Sequence, residues 1–341
     1  MRPTTHDIAR EAGVSLATVD RVINERPGVR ERTIEKVREA IERLGYVRDV
    51  SAANLARQRT YQFVYAVPDA YSEFTELLHQ TIGNVGQGAH VERTQISTLP
   101  IPMEDPHALV SVLNKLDTDN VDGVALMTLE TPHVRDALLR LTDAGVAVVA
   151  LISDLPNTSR HFFVGIDNVA AGKTAGKLMG RFIGNRQGSI IVLTNSMQST
   201  DSIERRLGFD EVINAQFPQL TVLPTLEAHG DAERVTRLIN TSFKQRTDIC
   251  GIYSLSSGNR SLTECLNELS PEQRPITIMH ELTDHTATAL HEGHVDAVIT
   301  QDVGHIVRSS LRLLRSHTDQ ININPEQERI RIEIMLKENL P

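Results

Sequence analysis

One short stretch of the sequence carries four side chains whose types and spacing could act together in recognition. Leu16, Ala17, Asp20 and Arg21 are spaced so that a helix would place them on one face. On that face Arg21 is the one group able to make a two-pronged contact to guanine, and Leu16 and Ala17 can touch thymine methyl groups. Asp20 would repel phosphate, orient Arg21 or accept a hydrogen bond from a cytosine amino group. The pattern indicates recognition chemistry.

Residue patterns typical of catalysis are absent from the sequence. The chain has no phosphate-binding loop, no G-x-G-x-x-G after a first strand, no G-x-S-x-G and no cluster of metal-ligating residues. His280 and Glu281 are adjacent, but neighbours on a strand point to opposite faces and form no acid–base pair. We therefore expect neither an enzyme nor a bound cofactor.

Charge is distributed unevenly along the chain. Residues 1–60 carry 12 Lys and Arg against 9 Asp and Glu, a net charge of +3, and the remainder of the −9 total is a net −12. A basic head on an acidic body fits a DNA-binding segment joined to a domain with another task. An architectural DNA-coating protein would be basic throughout.

The composition also predicts a cellular compartment. No apolar run approaches the ~18 residues of a membrane span, and the first residues lack the apolar core of an export signal. Cys250 and Cys265 provide neither a disulfide framework nor a metal-ligand cluster. We expect a cytoplasmic protein with no membrane partner.

The first 48 residues predict three helices. Thr4 or Thr5 can cap the first helix, Gly13 can end it, and Ser15 can cap the second. A third helix is expected at about 31–44. Three helices within fifty residues, with a glycine turn between the first two, predict an all-α helix-turn-helix headpiece.

From residue 61 onward, short apolar strands alternate with helical patterns. The predicted strands are 63–67, 123–127, 146–151, 162–166, 189–194, 250–255, 276–280 and 296–300. Repeated strand–helix units predict an α/β body with parallel sheets. The body is large for one such sheet, so we expect two lobes with a ligand cleft at the carboxyl ends of the strands.

The head resembles that of the LacI/GalR family, whose pattern is D-V-A-x-x-A-G-V-S-x-x-T-V-S-R-V-L-N followed by a helix ending L-G-Y. The matching residues are Asp7-Ile8-Ala9, Ala12-Gly13-Val14-Ser15, Thr18-Val19, Arg21-Val22-Ile23-Asn24 and Gly45-Tyr46. The resemblance implies that the helix from Ser15 lies in the major groove. The implied base-facing residues are Leu16, Ala17 and Arg21, and the implied phosphate-facing residues are Thr5, Ser15, Thr18 and Asn24. Asp20 departs from the family, which has serine there.

Residues 49–60 resemble the hinge of the same family, which folds when paired with its dimer mate over the minor groove. Leu55 stands where that family inserts an apolar side chain into the central base step. The unstacking this requires is offset by contacts that bent DNA permits. The alternative is a passive linker whose leucine packs on the body.

The body, 61–341, is similar to the type I periplasmic sugar-binding fold and closest to ribose-binding-like members. The phrases that carry the likeness are Val164-Gly165-Ile166-Asp167-Asn168 followed by Gly172, Arg205-Arg206-Leu207-Gly208-Phe209, His280-Glu281-Leu282-Thr283 and Val298-Ile299-Thr300-Gln301. The resemblance implies that the chain crosses between lobes near 185–188, 296–300 and 322–325. The N-lobe would hold 61–186 and 298–322, and the C-lobe 187–297 and 323–341.

The same resemblance implies a set of ligand-binding residues. Arg205 matches a ligand-gripping arginine, although a helix-surface role is the alternative. Glu281 stands where relatives have an aspartate, and Gln301 matches a glutamine used similarly. The remaining candidates are Tyr71, Ser72, Phe74, Asp154 and Asp167, of which Asp167 has the equal alternative of capping a helix. Ile152 and Ser256-Ser257 depart from ribose binders, which argues against ribose itself.

The functional expectation is a homodimeric regulator that binds a pseudo-palindromic double-stranded operator. We expect a repressor of a carbohydrate or polyol uptake or catabolism operon, relieved when a sugar, polyol or sugar acid closes the lobes. The alternative is a corepressor such as a purine-like metabolite. A secreted solute-binding protein or an enzyme fits the sequence less well.

Overall fold

The structure is a computed structural model in which the chain forms two compact units, Met1–Arg59 and Thr60–Pro341. It describes residues 3–23, 26–46, 59–69, 72–90, 93–102, 105–256 and 258–341. No described helix is both long and apolar enough to cross a membrane. Within the same ranges, no three His, Cys, Asp or Glu side chains are grouped so as to hold a metal ion.

The first unit consists of three short helices, as the capping and turn residues predict. They are α1 (Thr5–Ala12), α2 (Leu16–Ile23) and α3 (Glu31–Leu44). Thr4 caps α1 and exchanges hydrogen bonds with Asp7, and Gly13 ends the helix at a left-handed φ of 66°. The Ser15 hydroxyl accepts a hydrogen bond at 3.2 Å from a backbone N–H in the first turn of α2. The buried residues that hold the three helices together are Ile8, Val19, Val37 and Ala40.

The first lobe of the second unit is built on a five-stranded parallel sheet with the order β2-β1-β3-β4-β5. The strands are β1 (Tyr61–Pro68), β2 (Thr94–Ile101), β3 (Gly123–Leu126), β4 (Ala147–Leu151) and β5 (Phe162–Val164). The helices that connect them are α4 (Glu73–Ala89), α5 (Pro106–Leu113) and α6 (Pro132–Asp143). Strand β2 escapes the sequence prediction because it is largely polar and contains a proline, which only an edge strand accepts readily.

The second lobe is built on a seven-stranded sheet with the order β12-β11-β10-β9-β6-β7, and β8 also pairs with β6. Its strands are β6 (Gly188–Thr194), β7 (Leu220–Val222), β8 (Leu226–Glu227), β9 (Ile249–Ser254), β10 (Ile276–His280), β11 (Ala297–Thr300) and β12 (Glu333–Met335). The helices are α7 (Asn168–Ile183), α8 (Thr200–Gln216), α9 (Ala232–Gln245), α10 (Asn259–Asn267), α11 (Asp284–His291) and α12 (Val303–Asp319). Pairing is parallel except between β11 and β12. The predicted α/β class with parallel sheets is confirmed.

Two of the three passages of the chain between the lobes lie at different points from those predicted. Helix α7 packs on β9 and β10 of the second sheet, so the first passage lies between β5 and α7 rather than near 185–188. Strand β11 pairs with β10, whereas α12 packs on β3 and β4 of the first sheet, so the second passage follows Thr300. The division of the lobes at 186 and 298 is therefore corrected: α7 and β11 belong to the second lobe.

Helices α7 and α8 approach each other backbone to backbone. A methyl group at Gly172 would overlap the Arg205 carbonyl, and one at Gly208 would overlap the Val169 carbonyl. Only glycine, which has no Cβ, allows such an approach. This packing fixes the place of Arg205 in the second lobe.

Candidate functional site

The exposed face of α2 in the first unit carries the side chains predicted to read DNA. Leu16 is 41% exposed, and Ser15, Ala17 and Arg21 are exposed with it, although Leu16 is a large apolar residue. Thr18 is half-buried, and its hydroxyl lies 2.9 Å from that of Ser15. An exposed leucine beside an unburied arginine is a surface suited to base edges rather than to core packing.

The structure gives Asp20 a partner that differs from those expected. Its carboxylate receives a hydrogen bond from the Arg26 guanidinium at 3.1 Å, and both side chains are exposed. The partner is therefore Arg26 rather than Arg21. Because the charge of Asp20 is balanced by Arg26, repulsion from a phosphate backbone would be reduced.

A cavity of about 290 Å³ opens between the two lobes of the second unit. Residues within two positions of the carboxyl ends of parallel strands line it from both sides, among them Met127 and Ile152 in the first lobe and Ser256 and Glu281 in the second. A smaller cavity of about 230 Å³ adjoins it and shares Met127 and Asp201. The cleft lies at the carboxyl ends of the strands, as expected for such sheets.

Arg205 lies at the base of the cleft and is 1% exposed. Its guanidinium donates to the Asn168 side-chain oxygen at 2.8 Å, to the Leu255 carbonyl at 2.6 Å and to a carboxylate oxygen of Glu281 at 3.0 Å. Asn168 in turn donates to the Ile152 carbonyl at 3.3 Å, which links this network to the end of β4 in the first lobe. The arginine is thus a buried anchor between elements, and the helix-surface alternative is wrong.

Glu281 is 7% exposed and has one oxygen in use and one without a partner. Its Oε1 accepts from Arg205 and from the Gln301 amide at 3.1 Å, whereas Oε2 and the Gln301 Oε1 are buried and have no partner among the described residues. Burial raises the pKa of the Glu281 carboxyl, and the Arg205 charge opposes that rise. The backbone of Glu281 is held at a φ of 80°, and Ile152 across the cleft at 67°, a left-handed region that costs energy in both residues.

His280 lies in the wall of the cleft, where its side chain contacts a buried tyrosine. Its Nε2 lies 2.8 Å from the Tyr253 hydroxyl, and Tyr253 stacks on Phe209 with ring centroids 4.5 Å apart. Burial, helped by the Arg205 charge, lowers the pKa of His280 well below its usual value, so the imidazole is neutral. The Asn259 amide holds the same strand end by donating to the His280 carbonyl at 2.7 Å.

Two acidic residues complete the cleft. Asp201, in the first turn of α8, is 8% exposed and lines both cavities. Glu73, at the start of α4 in the first lobe, accepts a hydrogen bond from the Thr283 hydroxyl at 2.8 Å and pairs with Arg260, both in the second lobe. The lobes are therefore joined across the mouth of the cleft by Glu73.

Both units match known families. Residues 4–49 match the model of bacterial regulatory proteins of the lacI family, and residues 63–320 match a periplasmic binding protein domain. The chain belongs to the lacI family, with a periplasmic binding protein domain as its second unit. The recognition made from the sequence is confirmed.

Individual relatives agree with this assignment. The chain is 36% identical to catabolite control protein A of Streptococcus mutans over 36% of each chain, and 24% identical to the transcriptional regulator RegA of Clostridium saccharobutylicum over 98% of this chain and 99% of that protein. The matched segments span about a third to a half of the first curated relatives. The fold is similar to that of GanP, a glucose-galactose binding protein from Geobacillus stearothermophilus, with a TM-score of 0.72 and 18% identity over 83% of this chain and 99% of that chain.

The structure brings together some of the ligand residues expected of a LacI-family body and separates others. Arg205, Glu281 and Gln301 form one network, and Ser72 and Phe74 line the cleft with the first two. Ser72 also caps α4. The predicted residues Tyr71, Asn24 and Leu55 lie outside the described residues.

Asp154 and Asp167 do not reach this cleft. They line a separate, open pocket together with Glu204 and Arg329. Asp154 pairs with Arg160, and Asp167 accepts a hydrogen bond from the Ala170 N–H at 2.8 Å as the cap of α7. Asp167 therefore caps a helix, which was the alternative role expected for it.

Among the polar residues of the cleft that sequence reasoning missed are four that stand at the start of a helix. They are Glu73, Asp201, Asn259 and Arg260. Each occupies the first two positions of a helix, where Asp, Glu and Asn are common for local reasons. The sequence nevertheless indicated that these residues lie near the cleft. Each of the helices follows a predicted strand, and such helices begin at the carboxyl edge of the sheet.

Proposed function

We propose that the protein is a DNA-binding transcription regulator whose operator affinity changes when a small polar ligand binds in the cleft. The observation that carries the proposal is the exposed face of α2, which presents Leu16, Ala17 and Arg21 on a helix whose other side is buried at Val19. Thr5, Ser15, Thr18 and Asn24 are the proposed phosphate contacts. The match of residues 4–49 to the lacI family supports this reading.

The ligand proposed is a sugar, polyol or sugar acid, and the gene target is an uptake or catabolism operon that the protein represses until the ligand binds. The names of the relatives, catabolite control protein A and a glucose-galactose binding protein, support this choice. The unpartnered oxygens of Glu281 and Gln301 support a ligand rich in hydrogen-bond donors. A corepressor would use the same cleft with the opposite effect on the operator.

The proposed assembly is a homodimer on a pseudo-palindromic site. Each head would read a half-site, and residues 49–60 would pair over the minor groove with Leu55 inserted between bases. Ligand binding would act through contacts that join the lobes, such as the one between Glu73 and Thr283. The two sites would then be coupled reciprocally, so that the operator also changes ligand affinity.

Selection of binding sites from random DNA, followed by fluorescence anisotropy at fixed salt, tests the DNA-binding part. We expect a pseudo-palindrome to be enriched. Arg21→Ala should weaken its binding about ten- to a hundred-fold and relax preference at one base pair, because a two-pronged base contact contributes about 1–3 kcal/mol. Arg26→Ala, the matched control, should affect all sequences equally. Failure to enrich any sequence would contradict the proposal.

The same anisotropy assay with sugars and polyols tests ligand control. An inducer lowers operator affinity, a corepressor raises it, and a ligand that binds without any effect on the operator contradicts the coupling. Sedimentation velocity of the free protein and of the operator complex tests the homodimer. Ligand binding by a chain that binds no DNA would favour a solute-binding protein instead.

A further inference from the structure

The cleft holds more negative than positive charge. Its charged lining consists of Glu73, Asp201, Asp231 and Glu281 against Arg205 and Arg260. Both arginines are already paired, Arg205 with Glu281 and Arg260 with Glu73. No cation among the lining residues therefore remains to receive an anionic ligand.

Two carboxylates in this cleft lack the donors that buried charges require. Asp201 is 8% exposed, and among the described residues its carboxylate receives no hydrogen bond or ion pair, although its own N–H donates to the Ser153 hydroxyl at 3.3 Å. The Oε2 of Glu281 is also buried without a partner. Burial is the main cause that raises the pKa of Glu281, and the Asp201 charge adds a smaller rise, so the two carboxylates repel each other across the cavity. Buried charges of this kind are costly unless a counter-charge or several donors neutralise them.

Part of the cleft is apolar, which favours a ligand with a carbon skeleton over a bare metal ion. Phe74, Met127 and Ile152 line the first-lobe side, and Val235 faces them from the second lobe. The volume of about 290 Å³ suits a molecule of monosaccharide size.

We infer that the cleft takes a small hydroxylated amine, with its ammonium group between Asp201 and Glu281, and rejects anionic sugars. This inference rests on the proposed role of the cleft as the ligand site, and it narrows the ligand class by excluding sugar acids and sugar phosphates. The ammonium neutralises both carboxylates, and the hydroxyl groups bind polar groups of the lining such as Ser256 and Asn259.

Calorimetric titration with two charge-matched sets tests the inference, in an amine-free buffer at neutral pH and constant ionic strength. One set is D-glucamine, sorbitol and D-gluconate, and the other is D-glucosamine, D-glucose and D-glucose 6-phosphate. In at least one set we expect the amine to bind about ten-fold or more tightly than the neutral compound, because charge-assisted hydrogen bonds are about twice as strong as neutral ones. The anions should bind most weakly.

Asp201→Asn should remove most of the advantage of the amine. Asp136→Asn, an exposed acid on α6 away from the cleft, should leave it unchanged. Melting temperatures of the free variants, and a second variant Asp201→Ser, separate loss of the charge from loss of the fold.

The inference is overturned if the neutral or anionic member binds as tightly as the amine, if no amine of either set binds, or if Asp201→Asn leaves the ratio unchanged. These results are distinguishable from failure of the proposed function. A neutral or anionic ligand that binds and shifts operator affinity overturns the charge inference alone, whereas loss of any link between the cleft and the operator overturns the regulator.

Discussion

The buried pair of Arg205 and Glu281 can be tested through protein stability. Arg205→Met removes a guanidinium that donates to Asn168, Leu255 and Glu281, so three acceptors lose this donor and the buried Glu281 carboxylate, which keeps only the Gln301 amide, loses its counter-charge. Breaking a buried ion pair by removing one partner costs about 3–5 kcal/mol. That is a large part of the roughly 5–15 kcal/mol by which a domain is stable.

Removal of the carboxylate should have a smaller effect. Glu281→Gln retains an oxygen that accepts from Arg205 and removes the unpartnered charge. We therefore expect the free energy of unfolding to fall by about 1–2 kcal/mol. In the double variant no carboxylate is left without its cation. The free energy of unfolding of the double variant should therefore fall by at least about 1.5 kcal/mol less than the sum of the falls in Arg205→Met and Glu281→Gln.

Urea unfolding followed by circular dichroism measures all three variants. Arg246→Met, which breaks the exposed pair with Asp248, is the matched control and should change the urea midpoint little. Losses that add to within about 0.5 kcal/mol, or a loss in Arg205→Met no larger than in the control, would refute the reasoning.

Three further predictions concern glycine packing, pH and the free cleft. Gly172→Ala should lower the melting temperature because its methyl group would overlap the Arg205 carbonyl. Gly83→Ala, in open space on α4, should instead stabilise the protein by about 0.5–1 kcal/mol. Equal effects of the two substitutions would contradict both predictions. Because the pKa of buried His280 lies well below 6.5, the unfolded chain binds an extra proton below that pH. Stability should then fall there by about 1.4 kcal/mol per pH unit, and His280→Gln should flatten this slope in urea titrations. Asp201→Asn should raise the melting temperature of the ligand-free protein, since it removes the repulsion between Asp201 and Glu281, and a lower melting temperature would contradict this.

The local structure of the chain follows closely from its sequence. Gly13 and Ser15 mark the turn between α1 and α2 because a left-handed glycine and a capping hydroxyl act within a few residues. The apolar strands were found for the same reason, since a strand buried on both faces needs a continuous apolar run. Strand β2, at an edge and largely polar, lacks this pattern and was missed.

The assignment of elements to lobes could not be read from the sequence. The apolar stripe of α7 shows that the helix packs on a sheet, but nothing local states which sheet, and the predicted crossing was wrong for that reason. The cleft shows the same limit. Arg205 and Glu281 were identified by likeness to a family. Asp201 could be assigned to the cleft only from the structure, in which the start of α8 lies near the first lobe.

The route of α12 has a consequence for synthesis of the chain. This helix covers β3 and β4, although about 140 residues of the second lobe separate it from β5 in the sequence. Ribosomes add about 5–20 residues per second, so β1 to β5 emerge well before the helix that buries one face of their sheet. The first lobe must therefore wait, with apolar surface uncovered, until Val303–Asp319 has left the ribosome. Cutting the chain between the lobes would yield no self-sufficient N-terminal fragment, because the last piece of its core is encoded after most of the second lobe.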